Sequence, residues 1–231
     1  MISLAARIRR DEQMDDPALD PEVYEAVLRD LSRVNAWTMA VRPTLGFLAR
    51  ASRNMPAFRL VDVGFGHGDM LRAIARWARR KDIAVDLIGV DLNPKSASIA
   101  RAATPIHWPI EFRTGDYTDV AGPIDFVVSS SVTHHMSDEQ IHAFLRFMEK
   151  SAARGWFVND VHRHAFAYHG FPLLARLMRW HRIIREDGQL SVGRGFRPDE
   201  WRRLIEESGI DPAAPRIVRR FPFRLCVERL R

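Results

Sequence analysis

The chain is predicted to fold as an α/β, doubly wound sheet of seven strands, mostly parallel, with an antiparallel C-terminal hairpin and an N-terminal helical cap. Three observations predict it. From residue 58 onward, short apolar runs alternate with segments of helical period. The first run breaks into a glycine turn that opens a helix. The last two runs, residues 216–221 and 223–229, are separated by Pro222 alone, so they must pair antiparallel.

Taken in order, residues 1–16 are polar and charged and are expected to be poorly ordered. Asp20 reads as an N-cap with Pro21 at the first helical position, and Val23, Val27, Leu28, Leu31 and Val34 form an apolar stripe. A second helical stretch carries Trp37, Val41, Leu45 and Leu48 and is interrupted near Pro43. These helices form a cap over residues 1–55, covering either a ligand site or a sheet edge; residues 56–231 form the main domain. Phe58, Leu60, Val61 and Val63 supply the first strand. Met70, Leu71, Ile74 and Trp77 recur at helical spacing after the turn.

Residues 83–91 form the second strand, and Asn93 with Pro94 caps a helix to Ala103. Residues 110–114 and 125–129 form the third and fourth. Ser137 and Gln140 make a capping box for the helix that buries Ile141, Phe144, Leu145 and Met148. Residues 155–159 are the fifth strand. Residues 165–185 read as one two-sided helix and residues 188–196 as a glycine-rich loop. Pro198 starts a last helix, stopped by Gly209.

The chemistry begins at the glycine turn, Asp62-Val-Gly64-Phe65-Gly66-His-Gly68-Asp69. A dinucleotide fingerprint is G-x-G-x-x-G; here Asp69 stands where the third glycine would be. A P-loop needs Lys followed by Ser or Thr, which are absent. Carboxylates at Asp62 and Asp69 would repel a pyrophosphate but favour an ammonium or sulfonium. Asp91 closes the second strand about twenty residues on, where a ribose diol is bound in doubly wound folds; its alternative role is a turn or capping acid. Asp116 and Tyr117, beyond the third strand, could meet a purine amine and ring face, or form an ordinary surface turn. Thr133, His134 and His135 follow the fourth strand, at the switch point where such sheets bind ligands.

Composition narrows the classes. The net charge is +6, almost wholly from arginine, with lysine only at positions 81, 95 and 150. The arginines are scattered over every helix, so they read as solvated faces rather than a nucleic-acid stripe. The lone Cys226 forbids an intrachain disulfide and suits a reducing, cytoplasmic compartment. No apolar run approaches the ~20 residues that span a bilayer, and no apolar segment of a secretory signal follows the first arginines.

On these residues the chain resembles a class I S-adenosylmethionine-dependent methyltransferase, from Phe58 to the C-terminus. The acid followed by G-x-G-x-G is matched by Asp62, Gly64, Gly66 and Gly68, the ribose acid by Asp91 and the adenine-side acid by Asp116. The resemblance implies S-adenosylmethionine as cofactor, held by these residues with Phe65, Leu92, Tyr117 and Ser130, and a seventh strand inserted antiparallel. Residues 15–21, 158–161 and 191–201 are similar to small bacterial methyltransferases found beside type III polyketide synthases, and to quinone-type methyltransferases. That similarity implies a small phenolic or quinone-like acceptor, O-methylation and a role in secondary metabolism, by a monomer or homodimer.

A phenol with pKa about 10 calls for a base, and a histidine near 6.5 suits it. His134 and His135 are therefore the candidate catalytic residues; their alternative is packing. Thr133, Asp160, His162 and His164 are candidate substrate contacts. No metal centre is expected: His162-x-His164 with His134 or His135 could give three nitrogens, but such spacing is common by chance. The acid pair of magnesium-dependent catechol methyltransferases is also not in register. An RNA or protein methyltransferase is an alternative, although the place after the fourth strand lacks the Asn/Asp-Pro-Pro-aromatic motif of nucleic-acid amino-methyltransferases. A non-catalytic cofactor-binding partner protein is another.

Overall fold

In the computed structural model, which describes residues 4–231, a single seven-stranded sheet has the order β3-β2-β1-β4-β5-β7-β6. The strands are β1 (Ala57–Val63), β2 (Ala84–Asp91), β3 (Ile110–Thr114), β4 (Ile124–Ser130), β5 (Ala152–Val161), β6 (Arg216–Arg220) and β7 (Arg224–Leu230). All pairs are parallel except those of β7, which runs antiparallel between β5 and β6. Chain order reverses beside β1, which pairs with both β2 and β4. Val63 therefore lies opposite Val90 on one side and Ser129 on the other. This register brings the carboxyl ends of β1, β2 and β4 to one edge, the crevice where doubly wound sheets take ligands.

Strand alternation divides the core between two faces. Leu60, Leu87, Phe126 and Phe157 meet Phe47 and Leu48 of α2 (Val41–Ala51) and Leu71 and Ile74 of α3 (Asp69–Arg80). Val61, Val127, Trp156 and Val158 meet Ile141 and Phe144 of α5 (Asp138–Ser151) and Trp201 and Leu204 of α8 (Pro198–Glu207). A third cluster joins Val27 and Val34 of α1 (Pro21–Trp37) to Ala175 of α6 (Ala165–Leu177) and Ile183 and Ile184 of α7 (Arg182–Arg194). The remaining helix, α4 (Pro94–Ala102), starts from Asn93, whose side chain accepts from Lys95 N. The expected cap on α1 is present: the Asp20 carboxylate accepts from Glu22 N and Val23 N. So is the Ser137–Gln140 capping box. No helix of the described residues is long and apolar enough to cross a membrane.

Three local expectations are corrected. The helix expected over residues 165–185 is two helices, α6 and α7, broken where Arg179 takes φ +55° and Trp180 is buried. The glycine-rich loop expected over 188–196 is mostly α7. Gly188 serves close packing there, since a Cβ would lie 2.0 Å from the Phe171 ring of α6. Gly188→Ala is expected to cost about 1–3 kcal/mol through overpacking, read as a lower Tm. Finally, the expectation of disorder over residues 1–16 fails for the described part, residues 4–16. Ile8 N donates to Gly193 O at 3.0 Å, Met14 N donates to Asp187 at 2.9 Å, and Glu12 is 3 % exposed. Polar composition misled here because the segment's polar groups are satisfied by α7 rather than by water.

Candidate active site

Two cavities adjoin at the crevice. The first, about 550 Å³, lies over the glycine turn. Gly64 has φ +76°, and a Cβ there would stand 2.3 Å from Val132, so the chain turns closely under the cavity floor only with glycine. Asp91 closes β2 and braces the turn: its carboxylate accepts from Gly66 N and Asn93 N, both at 2.9 Å. Asp62, Gly64, Phe65, Gly66, Asp91, Leu92, Tyr117 and Ser130 line this cavity together.

Gly68 and Asp116 do not line it. Gly68 caps α3 and faces Phe112. The Asp116 carboxylate turns onto its own turn, accepting from Thr118 N at 2.8 Å, and so shapes the bend that presents Gly115 and Tyr117.

The pocket is acidic. Asp62 is 1 % exposed, and its Oδ2 has no hydrogen-bond partner. Burial, then the neighbouring charges of Asp69 and Asp91, push its carboxyl well above the ordinary range. Burial also raises Asp69 and Asp91, partly offset by Asn35 on Asp69 and by the N–H groups of Asn93 and Gly66 on Asp91. An unpaired buried carboxylate oxygen suits a ligand that brings a cation or a donor. The folded state holds these protons more tightly than the unfolded chain does. This contribution to stability is thus complete below the ordinary carboxylate pKa and is lost as pH rises through the raised values. A cationic ligand favours the ionised acids. Its affinity is therefore expected to weaken as pH falls from about 8 to about 5, with proton release on binding, read by calorimetry in buffers of different ionisation enthalpy.

The second cavity, about 420 Å³, is walled by Leu31, Val34, Phe166, Phe171, Leu174, Ile184 and Val192. Its ionisable lining groups are Glu12, His134, His135, Asp187 and Arg224. Met14, Leu31, Asn35, Ser131 and His135 line both cavities, so the two share a wall.

His134 and His135 sit in a short 3-10 turn, Thr133–His135, directly after β4. Beneath them Asp160, in β5 and fully buried, gathers four donors. His134 Nδ1 is 2.7 Å from Oδ1, Val161 N donates to Oδ1 at 2.7 Å, His134 N donates to Oδ2 at 3.0 Å, and the Thr133 hydroxyl donates to Oδ2. His134 is 3 % exposed and turns Nε2 toward Glu12 Oε1, 3.5 Å away. Burial would lower its pKa, but the charge and hydrogen bond of Asp160, then Glu12, raise it to about 9. His134 in turn holds the Asp160 and Glu12 carboxyls below their ordinary range despite burial. His135 pairs Nδ1 with Asp15 Oδ2 at 2.8 Å.

Four candidate substrate contacts are relocated. Thr133 and Asp160 are buried under His134 and orient it; neither lines the cavity. β5 runs two residues further than expected, which draws Asp160 into the sheet. His162 and His164 line a separate depression with Arg197 and Arg219, and the His164 side chain caps α6. They lie outside the apolar cavity, because the chain leaves β5 toward Phe196 and α8.

Sequence reasoning missed Glu12, Met14 and Asp15 of the N-terminal segment, Tyr24 and Asn35 of α1, and Arg224 of β7. The one signal was residues 15–21, whose similarity to other methyltransferases points to the segment that Lys95 ties down through Pro17 O and Leu19 O at 2.9 and 2.7 Å.

Residues 60–155 match the family described as a methyltransferase domain. No curated protein matches the chain. Among solved structures, it is similar to magnesium protoporphyrin IX methyltransferase from Synechocystis PCC 6803 with bound SAH. The TM-score is 0.57 at 17% identity, over 90% of this chain and 86% of that one. The plantazolicin methyltransferase BpumL in complex with SAH gives a TM-score of 0.65 at 11% identity, over 94% of each chain. Human N-acetylserotonin methyltransferase in complex with SAM gives 0.62 at 16% identity, over 91% of this chain and 56% of that one. At these identities the structures establish the fold, and the domain match runs from its first strand into its fifth. With its acid-flanked glycine turn and its seventh strand inserted antiparallel, the chain has the fold of the class I S-adenosylmethionine-dependent methyltransferases and carries a match to a methyltransferase domain over residues 60–155.

Proposed function

We propose that the enzyme methylates a hydroxyl oxygen of a small hydrophobic acceptor, aromatic and phenolic or quinone-like. The observation that carries this reading is the apolar cavity sharing a wall with the acidic one, with two histidines at the junction. Bound S-adenosylmethionine supplies a methyl on a sulfonium. Asp62 and Asp69 suit its cationic end, Asp91 its ribose hydroxyls, and Phe65, Leu92 and Tyr117 its adenine.

The chain's own work is to hold the acceptor oxygen at the shared wall and draw off its proton. Near-attack placement in such a wall can supply much of the rate. His135, paired with Asp15, is the group for that task, while His134, which Asp160 and Glu12 keep protonated near neutral pH, positions the acceptor oxygen as a donor. The apolar lining excludes water and selects a ring or alkyl chain. Neighbours of this fold named for N-acetylserotonin and magnesium protoporphyrin IX are consistent with a small-molecule acceptor. An apolar cavity of about 420 Å³ favours such an acceptor over a nucleic acid or protein side chain. The helices of residues 1–55 act as a cap on the methyltransferase domain of residues 56–231. A reducing cytoplasm, secondary metabolism and a monomeric or homodimeric state complete the reading.

The test is to incubate the full chain with S-adenosylmethionine and a panel of alkylated phenols and hydroquinones, followed by mass spectrometry. O-methyl ethers and S-adenosylhomocysteine are expected in equal amounts. Cofactor binding with no phenol methylated would count against the acceptor class, and methyl found on a ring carbon would count against oxygen.

A further inference from the structure

We propose that Glu12, His134 and His135 form a binding site for a divalent transition-metal ion of the zinc type, which carries the acceptor's oxygen. This rests on the reading of the apolar cavity as the acceptor site and specifies how its histidines act.

The donor set is convergent. His134 Nε2 is 3.5 Å from Glu12 Oε1, and His135 Nε2 is 3.9 Å from Glu12 Oε2. One ligand atom from each of the three residues can be chosen with all three within 4.8 Å of one another. Ligands around a tetrahedral zinc at bond lengths of ~2.0–2.1 Å stand about 3.3 Å apart, so small side-chain movements close the site.

Both imidazoles are prepared as ligands. A metal-binding histidine usually gives its other ring nitrogen to a carboxylate, which fixes the tautomer. Here Asp160 Oδ1 takes His134 Nδ1 at 2.7 Å, and Asp15 Oδ2 takes His135 Nδ1 at 2.8 Å. Two carboxylate–histidine pairs thereby aim Nε2 at one further carboxylate.

A second observation is independent of that spacing. His134 is more than nine-tenths buried, and its Nε2 has no hydrogen-bond partner. Competing donors leave one Glu12 oxygen open. Ser191 Oγ donates to Glu12 Oε1 at 2.9 Å and leaves Oε2 free of it. Arg194 comes only to 3.9 Å of Glu12, and its Nε and Nη2 are spent on the carbonyls of His134 and His135. Two nitrogens and a carboxylate match the ligand preferences of zinc and its neighbours, and such sites keep an open position when catalytic.

That open position faces the cavity. There an acceptor hydroxyl binding the ion releases its proton to water. The oxygen lone pair then forms the O–CH₃ bond as the methyl–sulfur bond breaks, leaving a neutral thioether. Asp160, Asp15 and Thr133 are positioning residues in this scheme. The histidine set differs from the one considered in the sequence, because His162 and His164 lie in another depression.

The test uses the full chain dialysed against chelator. Zinc chloride alone is titrated by calorimetry, and cobalt substitution is followed by its visible spectrum. One zinc per chain is expected, with an intense cobalt spectrum of low coordination number. Affinity should weaken at least tenfold in both Glu12→Gln and His135→Ala, and remain unchanged in His162→Ala. Methyl transfer by the chelated chain should return on adding zinc. Absence of stoichiometric zinc in the wild-type chain would overturn the proposal, as would unaltered affinity in both variants. Full methyl transfer by the chelated chain would overturn the carrying role and leave His135 as the direct base. Failure of the chelated chain to bind S-adenosylmethionine would instead count against the methyltransferase reading, since Asp62, Asp69 and Asp91 stand apart from the metal ligands.

Discussion

Asp91→Ala is expected to weaken S-adenosylmethionine binding about a hundredfold, with the fold retained. Asp91 does two things at once. Its oxygens hold Gly66 N and Asn93 N at 2.9 Å, fixing the glycine turn relative to β2. It also lines the cavity, where its remaining lone pairs suit a ribose diol. Hydrogen bonds to a charged acceptor contribute about 1.5–3 kcal/mol each; losing the equivalent of two near the lower figure gives about 3 kcal/mol, close to a hundredfold in affinity. Calorimetric titration of the cofactor checks it. Asp91→Asn should fall between, because one amide oxygen can still accept. An unchanged dissociation constant in Asp91→Ala would remove the ribose assignment.

The second large effect is at Asp160. Asp160→Asn is expected to lower methyl transfer roughly a hundredfold or more while S-adenosylmethionine affinity stays within a few-fold. Such losses follow when the carboxylate that fixes a catalytic histidine's tautomer, or the orientation of a metal-bound one, is removed. The geometry is demanding. Four donors converge on its two oxygens: the Thr133 hydroxyl, His134 N, His134 Nδ1 and Val161 N. An asparagine offers one oxygen, so two buried donors lose their partner, at about 1–3 kcal/mol each. Steady-state kinetics and a melting curve separate the two consequences. Thr133→Val removes one donor only and should cost less of both. Asp160→Asn with wild-type turnover would show that His134 needs no orientation, and with it the site's organisation would fail.

The sheet was readable because its signals are local. Alternation of apolar runs gave β1 to β5, and the single residue between the last two runs gave the antiparallel β6–β7 pair. The glycine-turn cavity was readable for a related reason: Asp62, the glycines and Asp91 stand at strand ends, and strand ends in a doubly wound sheet share an edge. Gly68 and Asp116 show the limit of that logic. Both stand at the edge, yet one faces Phe112 and the other folds onto Thr118 N.

The apolar cavity was less legible, since it is assembled from distant segments. Glu12 reaches His134 across more than a hundred residues, and its polar neighbourhood reads as a disordered tail until Asp187 and Gly193 are seen to satisfy it. Gly188 looked like a loop signal because a glycine required by the Phe171 ring carries the same letter as one required by a turn. Asp160 and His162, two residues apart, were grouped together; β5 ends at Val161, and the chain's exit toward Phe196 sends them to different places.

A structure of the enzyme with S-adenosylhomocysteine and an alkylated phenol tests the central claim most directly. The ring is expected among Val34, Phe171, Leu174 and Ile184, with its hydroxyl oxygen at the Nε2 atoms of His134 and His135. That oxygen should face the cofactor sulfur, leaving room for a methyl between them at near-attack separation of about 3–3.5 Å. A phenol seated in the depression beside His162 and Arg219, with the apolar cavity empty, would contradict it.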